Sequence, residues 1–135
     1  MAEKQKEVKQ VTGKKKAGVK TTQRGRVYIT STFNNTLVAV TNEGGDVVSW
    51  GSSGGAGFKG TRKSTPYAAG IAMENAAKKA MAKGIEAVDI FVKGPGSGRD
   101  SALRAIKTVG LSILSIADVT PIPHNGPRAK KKRRV

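Results

Sequence analysis

The sequence predicts an α/β fold: a single domain with one mixed five-stranded sheet, in the order β-β-β-α-β-α-β, two helices packed on it, and basic disordered tails. Three observations predict this. Segments with period-two apolar alternation are interleaved with segments of helical spacing. The first three apolar segments are joined by short Asn- and Gly-containing turns, whereas the last two follow helix-length connections. The charge is concentrated at the ends. Of a formal net charge of +16, residues 1–26 hold 9 basic against 2 acidic residues, and residues 128–135 hold 6 basic and none acidic. Residues 27–127 hold 10 against 7, so a nearly neutral body carries two cationic tails. The expected organisation is a basic disordered extension over 1–23, an α/β body over 24–127 and a basic tail over 128–135.

Residues 1–23 are rich in Lys, Gln, Thr and Gly, with too little apolar surface to fold alone. Residues 26–32 then alternate, with Val27, Ile29 and Ser31 on one face and Tyr28, Thr30 and Thr32 on the other. Phe33-Asn34-Asn35 makes the first hairpin turn, because Asn tolerates turn geometry. Residues 36–41 form the second strand, 42–45 a turn and 46–51 the third strand. Three such strands make an antiparallel meander.

Pro66 opens a helix over 66–83. Thr65 suits the cap and proline suits the first turn, where an N–H partner is missing anyway. Ala69, Ala72, Ala76 and Ala80 line one side, with Ile71, Met73 and Met81 adding bulk, and small side chains let a helix lie close to a sheet. Glu74 and Lys78 are spaced to face solvent. Gly84 ends the helix. Residues 86–93 form a strand with Val88, Ile90 and Val92 on one face and Phe91 on the other. Ser97 and Asp100 have capping-box-like spacing before a second helix, striped by Ala102, Leu103, Ile106 and Val109 and ended by Gly110. Residues 111–119 are the last strand, stopped by Pro121 and Pro123. Strands that follow crossover helices run parallel. The body of roughly 100 residues can bury a real core.

The stretch 51–67, GSSGGAGFKGTRKSTPY, combines five glycines with Lys59, Arg62 and Lys63 and ends at a helix start. Gly57 and Gly60 let the backbone approach a partner closely, and a helix N-terminus offers free N–H groups with partial positive charge. Loop, cations and helix end suit a phosphate. Residues 94–99, GPGSGR, repeat the arrangement with Gly96, Gly98 and Arg99. Both helix starts are expected at the carboxyl ends of the preceding strands, which brings these cations to one edge of the sheet. Residues 55–60 also fit G-x-G-x-x-G, but no acidic residue follows about 20 positions on, and no Gly-Lys-Ser/Thr makes a P-loop.

Catalysis is poorly provided for. His124 is the only histidine and there is no cysteine, so one chain offers no zinc set and no thiolate. The absence of cysteine fits a cytoplasmic site. Asp46, Asp89, Asp100 and Asp118 are scattered; Asp89 and Asp118 lie on separate strands that could be neighbours, and hydrogen bonding at turns or pairing with Arg99 or Arg104 is the preferred reading. No apolar run spans a bilayer and neither tail has an apolar face, so the charge points to nucleic acid and away from membrane. RNA fits better than DNA, because no helix is both basic and shaped for a major groove. Aromatics are few, so base stacking is expected to be a minor mode; Phe58 is the best single stacking candidate, or else a plug over the core. Arg128, Lys130, Lys131, Lys132, Arg133 and Arg134 bind phosphates, act as a nuclear import signal, or are simply solvated.

Several motifs carry a family resemblance. Ile116-x-Asp118-x-Thr120-Pro121-x-Pro123-His124-Asn125-Gly126 and Gly57-Phe58-Lys59-Gly60-x-Arg62-Lys63-Ser64-Thr65-Pro66-Tyr67-Ala68-Ala69 resemble the signatures of the small-subunit ribosomal protein eleven family, in its bacterial form. Phe33-Asn34-Asn35-Thr36 and Gly94-Pro95-Gly96-x-Gly98-Arg99 agree as well, and the resemblance covers residues 26–135. It implies a structural, non-enzymatic protein of the small-subunit platform. Such a protein bridges small-subunit rRNA helices and helps form the cleft that holds the Shine–Dalgarno duplex of the mRNA. It also implies ribosomal proteins seven and eighteen as neighbours and contact with initiation factor three. Asn125, before Gly126, becomes a candidate for isoaspartate formation; the bacterial motif often has Cys next, where this chain has Pro127. Two readings from other classes stand beside it. One is a metal-dependent nuclease using Asp89 and Asp118; the other is a nuclear DNA-binding protein using its tail for import.

Overall fold

Alternation along each strand sorts the chain into a buried and an open sheet face. The computed structural model describes residues 23–134, so the extension expected over 1–23 lies, but for Gln23, outside the described residues. Eight elements follow the expected order: strands β1 (Arg24–Ser31), β2 (Thr36–Asn42) and β3 (Val47–Ser52), a 3-10 turn at Gly60–Ser64, helix α1 (Pro66–Ala82), strand β4 (Ala87–Lys93), helix α2 (Arg99–Val109) and strand β5 (Ser112–Asp118). The 3-10 turn lies within what reads in the sequence as plain loop.

The sheet order is β3-β2-β1-β4-β5. β1 and β3 both pair antiparallel with β2, whereas β4 pairs parallel with β1 and β5 parallel with β4. Thus every strand but β2 runs the same way. The crossovers from β3 to β4 and from β4 to β5 step across the sheet in the same direction, so crossovers of one hand place both helices on one face. The core forms there. Val27, Ile29, Val38, Val40, Val88, Ile90 and Val92 from the strands meet Met73, Ala76, Ala77, Ala80, Ala102 and Ile106 from the helices.

The alanines set the helix height. Ser49 Oγ donates to the carbonyl of Ala76 at 2.8 Å, and Gly51 lies so close to α1 that an added Cβ would meet the Ala72 carbonyl at 3.0 Å. Register slips between Val40 and Thr41, leaving Val48 as an extra residue in β3, so Val48 and Ser49 are both buried. Thr65 caps α1, accepting from the Ala68 N–H at 3.3 Å, with Pro66 in the first turn. Gly110 closes α2 at φ +101°.

Three expectations are corrected by position. Ser97 does not cap α2: Gly98 is the cap residue, without a side-chain hydrogen bond, and Ser97 reaches elsewhere. Met81 is exposed because it falls off the alanine face near the end of α1. β5 is shorter than 111–119, and Leu114 and Ile116 on it are exposed because β5 is an outer strand that α2 barely covers. Among the described residues no helix is long and apolar enough to cross a membrane.

Candidate nucleic-acid interface

Parallel pairing brings the carboxyl ends of β1, β4 and β5 to one end of the sheet, and β3 finishes there too. This end therefore collects the 32–35 hairpin, the 53–65 loop, the 94–98 loop, the starts of α1 and α2 and the departing chain after Asp118. Both glycine-rich loops and the root of the C-terminal tail thus share one edge.

Hydrogen bonds shape the first loop. Ala56 N–H donates to the Ser52 carbonyl, Phe58 N–H to the Ser53 carbonyl, and Gly55 N–H to Ser52 Oγ. Gly57 and Gly60 stand at φ +100° and +62°, a region that favours glycine, with open space where a side chain would go. Lys59, Gly60 and Arg62 are exposed and Lys63 is half-buried. Phe58 is half-buried and meets the exposed Tyr67 edge-on, ring centroids 5.8 Å apart. Ala56, Gly57, Phe58, Lys59 and Arg62 surround a shallow concavity. Phe58 therefore forms one wall of a surface hollow and belongs to no core cluster.

The second loop is built from close backbone approach. An added Cβ at Gly96 would collide with Ser31 Oγ, and one at Gly98 would collide with Thr36 Oγ1 and with Ala69 Cβ. Gly96 and Gly98 are buried and hold the loop against β1 and α1. Ser97 Oγ donates to the Ser64 carbonyl at 2.9 Å, joining the two loops. Arg99 is fixed, donating to the Gly94 carbonyl at 3.0 Å and to Asp118 at 2.6 Å. Asp118 also accepts from the Thr120 hydroxyl and N–H, and these bonds together with Arg99 hold its carboxyl well below the usual carboxylate range. The Thr120 hydroxyl in turn accepts from Gly94 N–H at 3.2 Å. The tail is thereby tied to the second loop as it leaves the sheet.

Beyond that tie His124, Asn125, Arg128, Lys130, Lys131, Lys132, Arg133 and Arg134 are exposed and outside regular structure. Asn125 takes φ +59°, the one non-glycine residue with positive φ among those described. The two helix starts differ. α1 has no acidic residue in its first turn, whereas α2 has Asp100 there, which answers part of its own dipole.

Asp89 and Asp118 do not form a pair. In the β4–β5 register Asp89 lies opposite Ser115 and Asp118 opposite Val92, so the two carboxylates are on opposite faces. Asp89 instead binds Arg24 at 2.9 Å and accepts from Ser115 Oγ at 2.8 Å; Ser115 first, then Arg24, lowers its pKa. No metal-holding group of carboxylates or His is present among the described residues.

Phe33 reads in the sequence as a turn residue and part of a family motif, with no role of its own. It sits at the tip of the β1–β2 hairpin, on the same edge, 76% exposed. The signal was present, since a large aromatic between two strands at a turn has nothing to pack against. The open sheet face was passed over as well: Tyr28 and Phe91 stack there, centroids 5.3 Å apart and planes 18° from parallel.

The chain matches the family model of ribosomal protein S11 over residues 25–134, which takes in all five strands but for Arg24, both loops and most of the tail. The chain belongs to the ribosomal protein S11 family, and is a non-enzymatic structural protein of the small ribosomal subunit that binds RNA in translation.

Proposed function

We propose that this chain binds small-subunit rRNA on the platform and bridges separate rRNA helices through the carboxyl-end edge of its sheet. The observation that carries this reading is the convergence of the 53–65 loop, the 94–98 loop and the start of the C-terminal tail on that one edge. Exposed Lys59 and Arg62, with Lys63, meet phosphates around the Phe58 hollow; the cations at 128–134 extend the contact along the RNA backbone. Gly57 and Gly60 permit close backbone approach. Gly96, Gly98 and Arg99 act by holding the two loops and the tail in register. His124 and Asn125 contribute exposed polar groups where the tail turns. On this reading the bridged helices help form the cleft for the Shine–Dalgarno duplex, with ribosomal proteins seven and eighteen, and initiation factor three, as protein neighbours. Deamidation at Asn125 belongs to the same edge.

The absence of cysteine makes a direct test simple. A single Thr61→Cys, on the exposed 3-10 turn, carries an iron chelate that cleaves nearby RNA by hydroxyl radicals. Thr108→Cys, at the far end of α2, is the control. Within assembled small subunits, strong cleavage of platform rRNA from position 61 and weak cleavage from 108 is expected. Equal or reversed cleavage would contradict the assignment of the edge.

A further inference from the structure

The open face of the sheet carries an aromatic row. Register places Trp50, Ala39, Tyr28, Phe91 and Ala117 side by side on β3, β2, β1, β4 and β5. Trp50 is 69% and Tyr28 37% exposed, and neither helix covers this face. Tyr28 gives one ring face to Phe91, so its other face is turned toward Ala39. Ala39 is a small floor between two large neighbours. Strands two apart are separated by roughly 9.6 Å. A planar ring held by stacking contacts on both sides needs about 7 Å. The gap above Ala39 is thus wide enough for one flat ring system.

The surrounding charge selects the kind of ring. On the same face Arg26 precedes Tyr28 by two residues, and Lys93 follows Phe91 by two. Both are exposed. Two carboxylates stand at the Arg24 end of this face: Asp89 binds Arg24 and Ser115 and lies opposite Arg26, and Glu43 meets Arg24 at 3.7 Å, so three arginine and lysine side chains beside Tyr28 and Phe91 outnumber them. Aromatic walls with cations at either end match a base and its flanking phosphates.

We propose that the slot over Ala39, between Tyr28 and Trp50, takes an unpaired nucleobase of a single-stranded RNA segment. Arg26 and Lys93 then meet phosphates on either side of that base. This site lies on the open face and is separate from the carboxyl-end edge; it shares with the proposed function only the class of ligand.

Trp50 is the only tryptophan, so its fluorescence reports the slot directly. Full-length protein is titrated with oligoadenylate of about ten nucleotides, within the usual single-strand site size, and with inorganic polyphosphate of matched charge. Oligoadenylate is expected to quench Trp50 and polyphosphate to bind without quenching. Ala39→Leu fills the slot and Tyr28→Ser removes a wall. Each is expected to weaken the quenching interaction roughly tenfold, with the circular dichroism and thermal midpoint of Ala39→Leu near those of the parent. Failure of oligoadenylate to quench, equal quenching by polyphosphate, or quenching that survives both substitutions would overturn the proposal, the last two by assigning the signal to charge alone. Cleavage from position 61 is read independently, so loss of that pattern with quenching intact would count against the platform assignment only.

Discussion

Ser97 Oγ donates a 2.9 Å hydrogen bond to the carbonyl of Ser64, and this bond joins the end of one glycine-rich loop to the other. Thirty-three positions separate the two residues in sequence. Their contact follows from topology: parallel strands β3 and β4 deliver both loops to the same end of the sheet. The edge is therefore one surface assembled from distant segments, and its precision depends on backbone packing beneath it.

The glycines of the second loop should be the least replaceable small residues in the body. Gly98→Ala drives a Cβ against Thr36 and α1, and overpacking of this kind costs about 1–3 kcal/mol. A lowered thermal midpoint and weaker RNA binding are expected together. Gly54→Ala, whose new Cβ would meet nothing nearer than Lys63 Cδ at 3.4 Å, should change the midpoint far less.

Loss of the α1 cap gives a milder effect. Thr65→Ala removes the acceptor for Ala68 N–H and should destabilise by about 1 kcal/mol, read by chemical denaturation. Thr65→Ser retains the acceptor and should restore most of the stability.

Acid should loosen the tie between the tail and the second loop. Asp118 is depressed below its ordinary value of 3.8 by Thr120 and Arg99. A depressed carboxylate contributes stability that is complete above its unfolded value and is lost as pH falls through the folded one. The contribution of this group should thus be complete and independent of pH near neutrality, and stability should fall on acidification below roughly pH 4. Asp118→Asn should show a flatter decline there. Identical acid limbs for the two proteins would show that the tie does not matter to folding.

Deleting residues 128–135 removes six cations and should weaken binding to every RNA. The slope of log K against log salt should shrink by roughly 0.7–0.9 for each phosphate that is no longer neutralised. Lys59→Gln and Arg62→Gln should each reduce the slope by the amount of about one phosphate at unchanged stability, since both side chains are exposed. Lys78→Gln, on the exposed side of α1, is the control expected to do neither.

Much of this was legible in the sequence, for physical reasons. The alternation Val27-Ile29-Ser31 and Val88-Ile90-Val92 identified the buried face correctly, because period-two burial leaves little freedom in a half-covered sheet. Thr65-Pro66 and Gly110 located helix ends, since few residues tolerate those positions. The cations at one edge followed from parallel crossovers. What was illegible depended on neighbours distant in sequence. Ser97 has the chemistry of a cap, yet Ser64 lies within reach and takes its hydroxyl. Pairing of Asp118 with Arg99 was legible, but not that Asp89 would take Arg24, a residue 65 positions away, in place of Arg99 or Arg104. Gly96 and Gly98 read as contact glycines, although the close approach they permit is to Ser31 and Thr36. The number of aromatics says nothing of their place, which register sets: Trp50, Tyr28 and Phe91 fall in one row across the open face.

The central claim is that the carboxyl-end edge reads the shape of platform rRNA, beyond the attraction of its tails for phosphate. The most direct measurement compares affinity for a folded platform fragment of small-subunit rRNA with that for a scrambled RNA of equal length, at low and high salt. A preference for the platform fragment that persists at high salt is the predicted result. Equal affinities that collapse together as salt rises would contradict the claim and leave the tails as the only binding element.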